Sequence, residues 1–247
     1  MNRRRSNAGA TGKAGKKKKG SRFIKRGNER YDRHDPYYKK AKSEGYLARS
    51  IYKLEEIDEQ LKVISPSAWV LDLGCAPGSW LQYVSRKVKP EKHGHVVGID
   101  LLPVATNFPA HVHVIQNDIY EVTPADLLPP HVEVKGDVGP LFDVILSDMA
   151  PNTTGIRAVD QARSIGLCER ALYLAETLLK KNGNFCFKVF EGGELADFLN
   201  LLRKQFKTVK VRRPKGVRPG SIETYVAALG YHAQHRAPPP AAPEDTP

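Results

Sequence analysis

The sequence predicts an α/β domain whose central sheet is mostly parallel and covered by helices on both faces. Three observations predict it. Short apolar strand-like runs alternate with helical segments, acidic residues follow the runs where strands would end, and the last two runs have a short connection. With 247 residues, the chain is long enough for one domain of ordinary core size plus flanking tails.

The first predicted element is a helix that begins with Ser43 as its N-cap and continues to about Leu61. Its apolar stripe at helical spacing consists of Leu47, Ile51, Leu54, Ile57 and Leu61. Lys53 lies roughly 90° from the centre of that stripe, so it can reach over a neighbouring surface. Helical position alone nevertheless favours a solvated lysine here.

Seven strand-like runs and three further helical segments follow along the chain. The strand-like runs are 68–74, 95–100, 111–116, 142–147, 185–190, 207–212 and 222–229, and the helical segments are 79–88, 160–181 and 194–206. Their alternation predicts parallel pairing through the first five strands. The helix over 160–181 is apolar on two sides, as a sheet-covering helix should be, and Asn182-Gly183 is predicted to stop it.

The connection between the last two strand-like runs is too short for a parallel crossover. Nine residues separate 207–212 from 222–229, whereas a crossover needs about a dozen or more. We therefore expect a seven-stranded, mostly parallel sheet closed by one antiparallel hairpin. Residues 119–141 contain proline, glycine and short apolar pieces, and they are predicted to be an irregular excursion without an assigned role.

Positive charge is concentrated at the N-terminus. The net charge is +12, and residues 1–33 contain 13 Lys and Arg against two acids, so the rest of the chain is nearly neutral. We predict a disordered basic arm over 1–33, a folded domain over 34–230 and a disordered Pro/Ala-rich tail over 231–247. Such an arm gives salt-dependent affinity for a polyanion, although a merely solubilising role is the alternative.

Composition also argues against several classes of protein. No segment approaches the roughly 18 apolar residues of a membrane span, and the N-terminus lacks the apolar region of a signal peptide. Cys75, Cys168 and Cys186 are odd in number and form no CxxC pair, which suits a reducing cytoplasm without disulfides. The eight histidines are scattered, and no metal site is predicted.

Acidic residues recur where ligands of open α/β sheets bind, beyond the carboxyl ends of the strands. The first strand leads into the loop 72–80, the second ends at Asp100, Asp118 follows the third, and the fourth ends at Asp148. A carboxylate after the second strand suits a ribose diol, which NAD also has. However, GxGxxG is absent and Pro77 occupies the turn. The pocket therefore favours a cationic nucleoside without phosphates, S-adenosylmethionine. For any single aspartate a turn or cap role would be favoured, and the ligand interpretation depends on the four positions together.

Two charged residues stand in segments that are predicted to be buried. Lys188 lies inside the apolar run 185–190, and Asp148 follows the apolar run 142–147. A buried charge is costly unless it is paired, so both residues are functional candidates.

Five segments resemble, in order, the FtsJ/RlmE family of ribose 2′-O-methyltransferases: DLGCAPGSW, GIDLLPV, SDMAPN, FKVFEG and RPGSIETYVA. The resemblance covers about residues 33–230, and the combination of SDMAPN with FKVF is the most specific part of it. It implies a single Rossmann-like methyltransferase domain that transfers a methyl group from S-adenosylmethionine to a nucleotide 2′-hydroxyl. In the bacterial RlmE branch, the target is a uridine in the peptidyl-transferase A-loop of 23S rRNA.

The resemblance also implies the site residues. The family's catalytic Lys-Asp-Lys-Glu tetrad falls on Lys53, Asp148, Lys188 and Glu223, and its cofactor-binding positions fall on Gly78, Trp80, Asp100, Asp118 and Asp148. Cys75 and Ser79 stand where the family often has Ala and Gly, and both changes are small.

The role of Lys188 has two interpretations. As the expected proton acceptor it must be neutral, with Asp148 orienting it and with Lys53 and Glu223 tuning and positioning it. Alternatively, Lys188 stays cationic and stabilises developing alkoxide charge while the proton leaves later. The sequence leaves both open.

Two basic clusters flank predicted catalytic residues in sequence, one before Glu223 and one before Lys53, as an RNA track converging on one ribose would require. Residues 203–218 contain eight Lys and Arg and no acid, and a second cluster before Lys53 consists of Lys39, Lys40, Lys42 and Arg49 with Tyr37, Tyr38 and Tyr46. The tyrosines either stack on bases or pack the N-terminal helix. We expect a monomer that acts on 23S rRNA or the large ribosomal subunit. The alternatives are a tRNA ribose methyltransferase, a small-molecule O-methyltransferase and a non-catalytic ribosome-assembly factor.

Overall fold

The computed structural model describes residues 35–104, 106–129, 132 and 139–233. The predicted basic arm over 1–33 lies outside these residues, as does the predicted tail beyond residue 233.

In the described residues, one sheet contains seven strands: β1 (Trp69–Leu73), β2 (His95–Asp100), β3 (Val112–Gln116), β4 (Phe142–Ser147), β5 (Leu179–Phe190), β6 (Phe206–Arg212) and β7 (Glu223–Tyr231). The α-helices are α1 (Pro36–Ser43), α2 (Ile51–Leu61), α3 (Ser79–Lys87), α4 (Arg157–Leu178) and α5 (Leu195–Arg203), with short 3₁₀ helices at Pro90–Lys92 and Pro124–Leu127. The strand order is β3-β2-β1-β4-β5-β7-β6. Strands β1 to β5 pair in parallel, and β7 pairs antiparallel with both β5 and β6. The predicted fold class and its antiparallel closure are therefore confirmed.

The sheet separates two apolar cores, and β5 shows how its sequence divides between them. Phe185, Phe187 and Val189 pack into the core that α4 and α5 cover, while Cys186 packs into the core that α2 and α3 cover. Successive side chains of a strand point to opposite faces, so Lys188 lies on the α2 side with Cys186. This alternation puts one lysine amine on the face that α2 approaches.

The first predicted helix was wrong at its N-terminal end. Ser43 is the last residue of α1, and α2 begins only at Ile51. After α1, Gly45 adopts φ +76°, and the N–H of Tyr46 donates to the carbonyl of Ala41 over 2.8 Å, which is the glycine-dependent end of a Schellman motif. Leu47 consequently lies outside either helix and is exposed, instead of belonging to the apolar stripe.

The predicted stop of the long helix was also displaced. Helix α4 ends at Leu178, because Leu179 already pairs with Phe142 at the edge of β4. Asn182, at φ 66°, lies instead in an irregular entrance to β5. The Asn-Gly pair therefore marks a turn within the strand segment. The predicted excursion 119–141, as far as it is described, contains the 3₁₀ helix Pro124–Leu127.

Two observations bear on the class of protein. Among the described helices, none has both the length and the apolar character that crossing a membrane requires. The three cysteines are buried free thiols, and the described residues contain no cluster of three or more His, Cys, Asp or Glu suited to a metal ion.

Candidate active site

The loop that joins β1 to α3 is shaped by two glycines. Gly74 has φ +75°, and a Cβ added there would lie 2.5 Å from Cγ of Met149. Gly78 has φ +114° and caps α3, and a Cβ there would lie 3.0 Å from side-chain atoms of Leu47 and Val104. Both positions therefore need the conformation that glycine adopts most easily and the space that a side chain would fill. The segment after β4 can pass close to β1 only because Gly74 has no side chain.

Asp100, at the end of β2, holds this loop in place. Its Oδ2 accepts the N–H of Ala76 over 2.8 Å, and its Oδ1 accepts the N–H of Leu102 over 2.8 Å. A carboxylate has about four lone-pair sites, so Asp100 still has acceptor capacity for a ligand such as a ribose diol. Asp118 follows β3, and its Oδ1 accepts the N–H of Tyr120 over 2.9 Å. The N–H of Asn117 donates to the carbonyl of Asp100 over 3.0 Å, so the two aspartates belong to adjoining strand ends.

Asp72, in β1, is a buried carboxyl without a hydrogen-bond partner. Its side chain is 0% exposed, and neither oxygen contacts a donor in the part of the chain that the structure describes. Burial raises the pKa of Asp72 well above its ordinary value, and the charges of Asp148 and Asp100 raise it further. The folded protein therefore favours the protonated, neutral form of Asp72, next to the negative charges of Asp148 and Asp100. A cation bound beside these two charges would be stabilised by them.

The side chain of Trp80 lies in the core and not on a ligand-facing surface. Its ring centroid is 6.1 Å from that of Tyr225, and its indole N–H donates to the carbonyl of Ser50 over 2.9 Å. The indole therefore joins α3 to the residue before α2. A contact between Trp80 and a cofactor would come from its backbone at the start of α3.

The four residues of the predicted tetrad come together as two ion pairs. The Nζ of Lys188 donates to Oδ1 of Asp148 over 3.0 Å and to the Asp148 carbonyl over 2.6 Å. The ammonium of Lys53 pairs with Oε1 of Glu223, a residue 170 positions away. The side chains of Lys53 and Lys188 are each only 10% exposed. The solvated lysine that helical position favoured for residue 53 was therefore wrong, because α2 packs this edge of its stripe against the sheet.

Tyr225 links the two ion pairs, and the sequence did not single it out. Its hydroxyl donates to Oδ1 of Asp148 over 2.9 Å and lies 3.3 Å from Oε1 of Glu223. The Lys53 ammonium lies 5.6 Å from the centroid of its ring. A signal for Tyr225 exists in the pattern Glu-x-Tyr, since residues two apart on a strand share a face.

The register of the sheet explains why these side chains meet. Lys188 lies directly opposite Tyr225 in the antiparallel β5–β7 pair, and Phe190 lies opposite Glu223. Opposed residues of an antiparallel pair share one face of the sheet. The N–H of Asp148 donates to the carbonyl of Leu73 over 3.2 Å, which places the residue after β4 at the end of β1. The tetrad is thus assembled from three strand ends and from α2.

The two lysines determine the protonation state of Asp148. Burial by itself would raise the pKa of this carboxyl, but Lys188 and then Lys53 outweigh burial, and hydrogen bonds from Lys188 and Tyr225 add to their effect. The net result is a pKa below the ordinary value, so Asp148 is a carboxylate at neutral pH. Burial raises the pKa of Tyr225 well above its usual range, and the nearby carboxylates add to that shift. Tyr225 is therefore a neutral hydrogen-bond donor.

The family described as FtsJ-like methyltransferase matches residues 46–231. The chain belongs to this family. The match includes the four residues of the predicted tetrad and the five predicted cofactor positions, and it leaves out α1. The resemblance read from the sequence motifs and the expected methyltransferase fold are confirmed.

Curated relatives of the chain have one name in common. The Ribosomal RNA large subunit methyltransferase E of Desulfosudis oleivorans is 46% identical over 192 residues, which cover 78% of this chain and 88% of that protein. The protein of the same name from Bdellovibrio bacteriovorus is 43% identical over 199 residues, covering 81% of this chain and 97% of the relative. A solved structure from Plasmodium falciparum, described as a ribosomal RNA methyltransferase, has a TM-score of 0.62 at 24% identity. It covers 75% of this chain and 98% of that chain. The last likeness shows a shared fold.

The two basic clusters of this FtsJ-like chain contact each other, and one of them lies beside Lys53 of the tetrad. Of the cluster 203–218, most side chains are exposed on the end of α5, on the edge strand β6 and in the loop that leads to β7. That loop touches α2, because the N–H of Lys215 donates to Oε2 of Glu56 over 2.9 Å. It also lies beside Lys53, since a Cβ on Gly216 would lie 3.3 Å from Cγ of that lysine.

The second cluster is partly used for internal contacts. Arg49 pairs with Asp35 and donates to the carbonyl of Gly216 over 2.6 Å, so it joins the N-terminal segment to the β6–β7 loop. Tyr37 and Tyr46 pack against Tyr52, with ring centroids 5.7 and 6.0 Å away. Of the two readings left open for these tyrosines, the structure supports packing for Tyr37 and Tyr46.

Proposed function

We propose that this FtsJ-like chain transfers a methyl group from S-adenosylmethionine to a ribose 2′-hydroxyl of large-subunit rRNA. The observation that carries the proposal is the Lys188–Asp148 pair, which stands at the end of β4 next to the acidic edge formed by β1 and β2. The names of the curated relatives supply the class of RNA, and the family motifs make a uridine of the 23S A-loop the first target to test.

The residues at the strand ends fit a cationic nucleoside better than a phosphate-bearing one. The negative charges of Asp100 and Asp148 already oppose ionisation of Asp72, and phosphates would add more negative charge to the same edge. A sulfonium and an α-ammonium would instead offset the negative charge there. The first loop also lacks the glycine pattern that cradles a pyrophosphate.

When bound, S-adenosylmethionine supplies a methyl group on a positively charged sulfur, and the sulfur leaves in line as an oxygen nucleophile bonds to the methyl carbon. This chain must place the 2′-hydroxyl in line with the methyl group and must supply a group that accepts its proton or stabilises its negative charge. Lys188 is the residue proposed for this role, because its amine is held by hydrogen bonds to the carbonyl and to Oδ1 of Asp148. If Lys188 is neutral it takes the proton, and if it is cationic it stabilises the developing alkoxide. Lys53 and Glu223, joined to Asp148 through Tyr225, hold that carboxylate in place.

The basic surface beside Lys53 supports an RNA substrate. Lysines and arginines of the 203–218 cluster neutralise phosphates in a salt-dependent manner, and the loop that carries part of them ends at Glu223. The predicted arm over 1–33 would add to this affinity. A ribosomal substrate and reduced cysteines together support a cytoplasmic location, and we expect the chain to act as a monomer.

The test is transfer of labelled methyl from S-adenosylmethionine to under-modified large ribosomal subunits, with the modified nucleotide mapped by mass spectrometry. We compare Lys188→Met with the control Lys180→Met. Lys180 belongs to the same strand but lies outside the tetrad, and its ammonium pairs with Asp143 at a distance of 3.0 Å. Loss of a positioned proton-transfer group costs about 10²–10⁴-fold in rate, so Lys188→Met should lose that much while Lys180→Met stays near normal.

The possible outcomes test the reaction, the RNA substrate and the role of Lys188 separately. A single ribose-methylated uridine in the A-loop would support the proposed reaction and target together. Label on tRNA but not on ribosomal subunits would keep the chemistry and replace the substrate. Near-normal turnover of Lys188→Met would overturn the role of Lys188, and absence of transfer to any RNA would favour an rRNA-binding assembly factor.

A further inference from the structure

Helix α4 contains a buried cation that the tetrad does not use. Arg170 is 5% exposed, and none of the ion pairs found in the described residues includes it. Its guanidinium lies over two aromatic rings, 5.7 Å from the centroid of Tyr120 and 5.1 Å from that of Tyr173. Removing an arginine charge from water is costly, so a buried guanidinium without a carboxylate at contact distance calls for an explanation.

The guanidinium is satisfied by backbone carbonyls of one short segment. Its Nε donates to the carbonyl of Ile119 over 2.8 Å, and its Nη2 donates to the carbonyl of Val122 over 3.1 Å and to that of Tyr120 over 3.5 Å. Three carbonyls of four consecutive residues therefore converge on one side chain. A planar fork of donors can hold such an arrangement, whereas a single ammonium cannot span it.

This segment begins directly after Asp118. The side-chain carboxylate of Asp118 accepts the N–H of Tyr120, and the backbone carbonyl of Asp118 accepts the N–H of Glu121 over 3.1 Å. The hydroxyl of Tyr120 in turn lies 3.4 Å from the carbonyl of Gly166 in α4. The turn that follows Asp118 is thus fastened to α4 by hydrogen bonds from Arg170 and Tyr120.

The same helix also contacts the strand that carries the proposed proton acceptor. The Sγ of Cys168 lies 3.4 Å from the carbonyl of Lys188, and Oγ of Ser164 accepts the N–H of Phe190 over 3.0 Å. Arg170 follows Cys168 by two residues and Ser164 by six, so it lies less than two helical turns further along α4. Helix α4 therefore connects the Lys188 end of the site with its Asp118 end.

We propose that Arg170 is a positioning residue for the adenosine end of the cofactor site, acting by holding the 118–122 turn so that Asp118 is presented in its binding geometry. The inference rests on the proposed function, because it takes Asp118 as a cofactor contact. Arg170 is placed too deep to touch the ligand, so its effect is on affinity. The chemical step, which occurs at Lys188, keeps its rate once the site is saturated.

The experiment compares Arg170→Met and Arg170→Lys with Leu174→Ala, a buried residue one turn later on α4. The control creates a core cavity that costs about 2–5 kcal/mol of stability but removes no donor from the turn. Dissociation constants for S-adenosylhomocysteine are measured calorimetrically at a temperature where all variants are folded, together with kcat and KM for S-adenosylmethionine. Amide hydrogen exchange of residues 117–122 is followed in the free protein.

We expect Arg170→Met to raise the dissociation constant about tenfold with kcat unchanged, and to speed exchange in the 117–122 segment. Arg170→Lys should lie between it and the wild type, and it stays informative if Arg170→Met does not fold. Leu174→Ala should bind like the wild type. A normal dissociation constant for Arg170→Met, or an equal rise for Leu174→Ala, would overturn the inference. A wild-type chain that fails to bind S-adenosylhomocysteine would instead refute the proposed function. The exchange measurement would still test whether Arg170 holds the 118–122 turn.

Discussion

Tyr225→Phe tests the connection between the two ion pairs with the smallest possible change. The ring is 0% exposed and stays in place as phenylalanine, so the substitution removes the hydroxyl and little packing. The lost contact is a 2.9 Å hydrogen bond to the Asp148 carboxylate, with a second carboxylate oxygen at 3.3 Å. Hydrogen bonds to charged groups contribute about 1.5–3 kcal/mol to stability.

That range sets the expected shift in thermal stability. For a domain of this size, about 1 kcal/mol corresponds to roughly 2–4 °C in Tm, so Tyr225→Phe should melt roughly 3–12 °C lower. Asp148 keeps its bonds from Lys188 but loses its link to Glu223. We expect kcat for methyl transfer to fall about tenfold, equivalent to about 1.4 kcal/mol of lost transition-state stabilisation.

The assay combines differential scanning calorimetry with single-turnover methyl transfer at saturating S-adenosylmethionine. Tyr231→Phe is the matched control, because Tyr231 is a buried tyrosine of the same strand, roughly 20 Å along it. A Tyr225→Phe variant with native Tm and native kcat would refute the reasoning. Equal losses in the two variants would show that the hydroxyl of Tyr225 has no special place in the site.

Two further predictions concern stability. Gly74→Ala should destabilise the fold by about 2–5 kcal/mol in urea titrations, because a left-handed conformation costs about 1–2 kcal/mol and overpacking against Met149 costs about 1–3 kcal/mol. The exposed Gly193, where a Cβ would meet nothing within 4 Å, is the control site, and an equal loss for Gly193→Ala would contradict the steric argument. Asp72→Asn should gain stability over the wild type as pH rises above the ordinary aspartate value of 3.8. The folded wild type retains a proton there that the unfolded chain releases, so its stability falls with rising pH. Urea midpoints from pH 4 to pH 8 that run parallel for the two proteins would show that Asp72 has no raised pKa.

Much of the site could be predicted because its residues have a local signature. Asp100, Asp118 and Asp148 follow strand-like runs, and parallel strands gather their carboxyl ends at one edge of a sheet. Lys188 was conspicuous as a charge within an apolar run. These signals need only a few neighbouring residues, so periodicity and composition are enough to find them.

Other residues had no such signature. Helical position favoured a solvated side chain for Lys53. Helical spacing gives the direction in which a side chain leaves its helix, but it does not show which other element packs against that side. The α1–α2 boundary was missed because Ser43 resembles an N-cap, whereas Gly45 decides the matter by adopting the left-handed conformation. Arg170 is unremarkable in sequence, and only the turn packed against α4 supplies its three carbonyls.

By itself, the sequence determined the α/β class, the antiparallel closure of the sheet and the family motifs, because these depend on periodicity, connection length and short ordered segments. Only the tertiary structure decided which charges are paired. The Lys53–Glu223 pair joins residues 170 positions apart, and Tyr225 joins that pair to Lys188 and Asp148 through the β5–β7 register. Long-range contacts follow from which faces pack together, and local patterns along one chain do not contain that information.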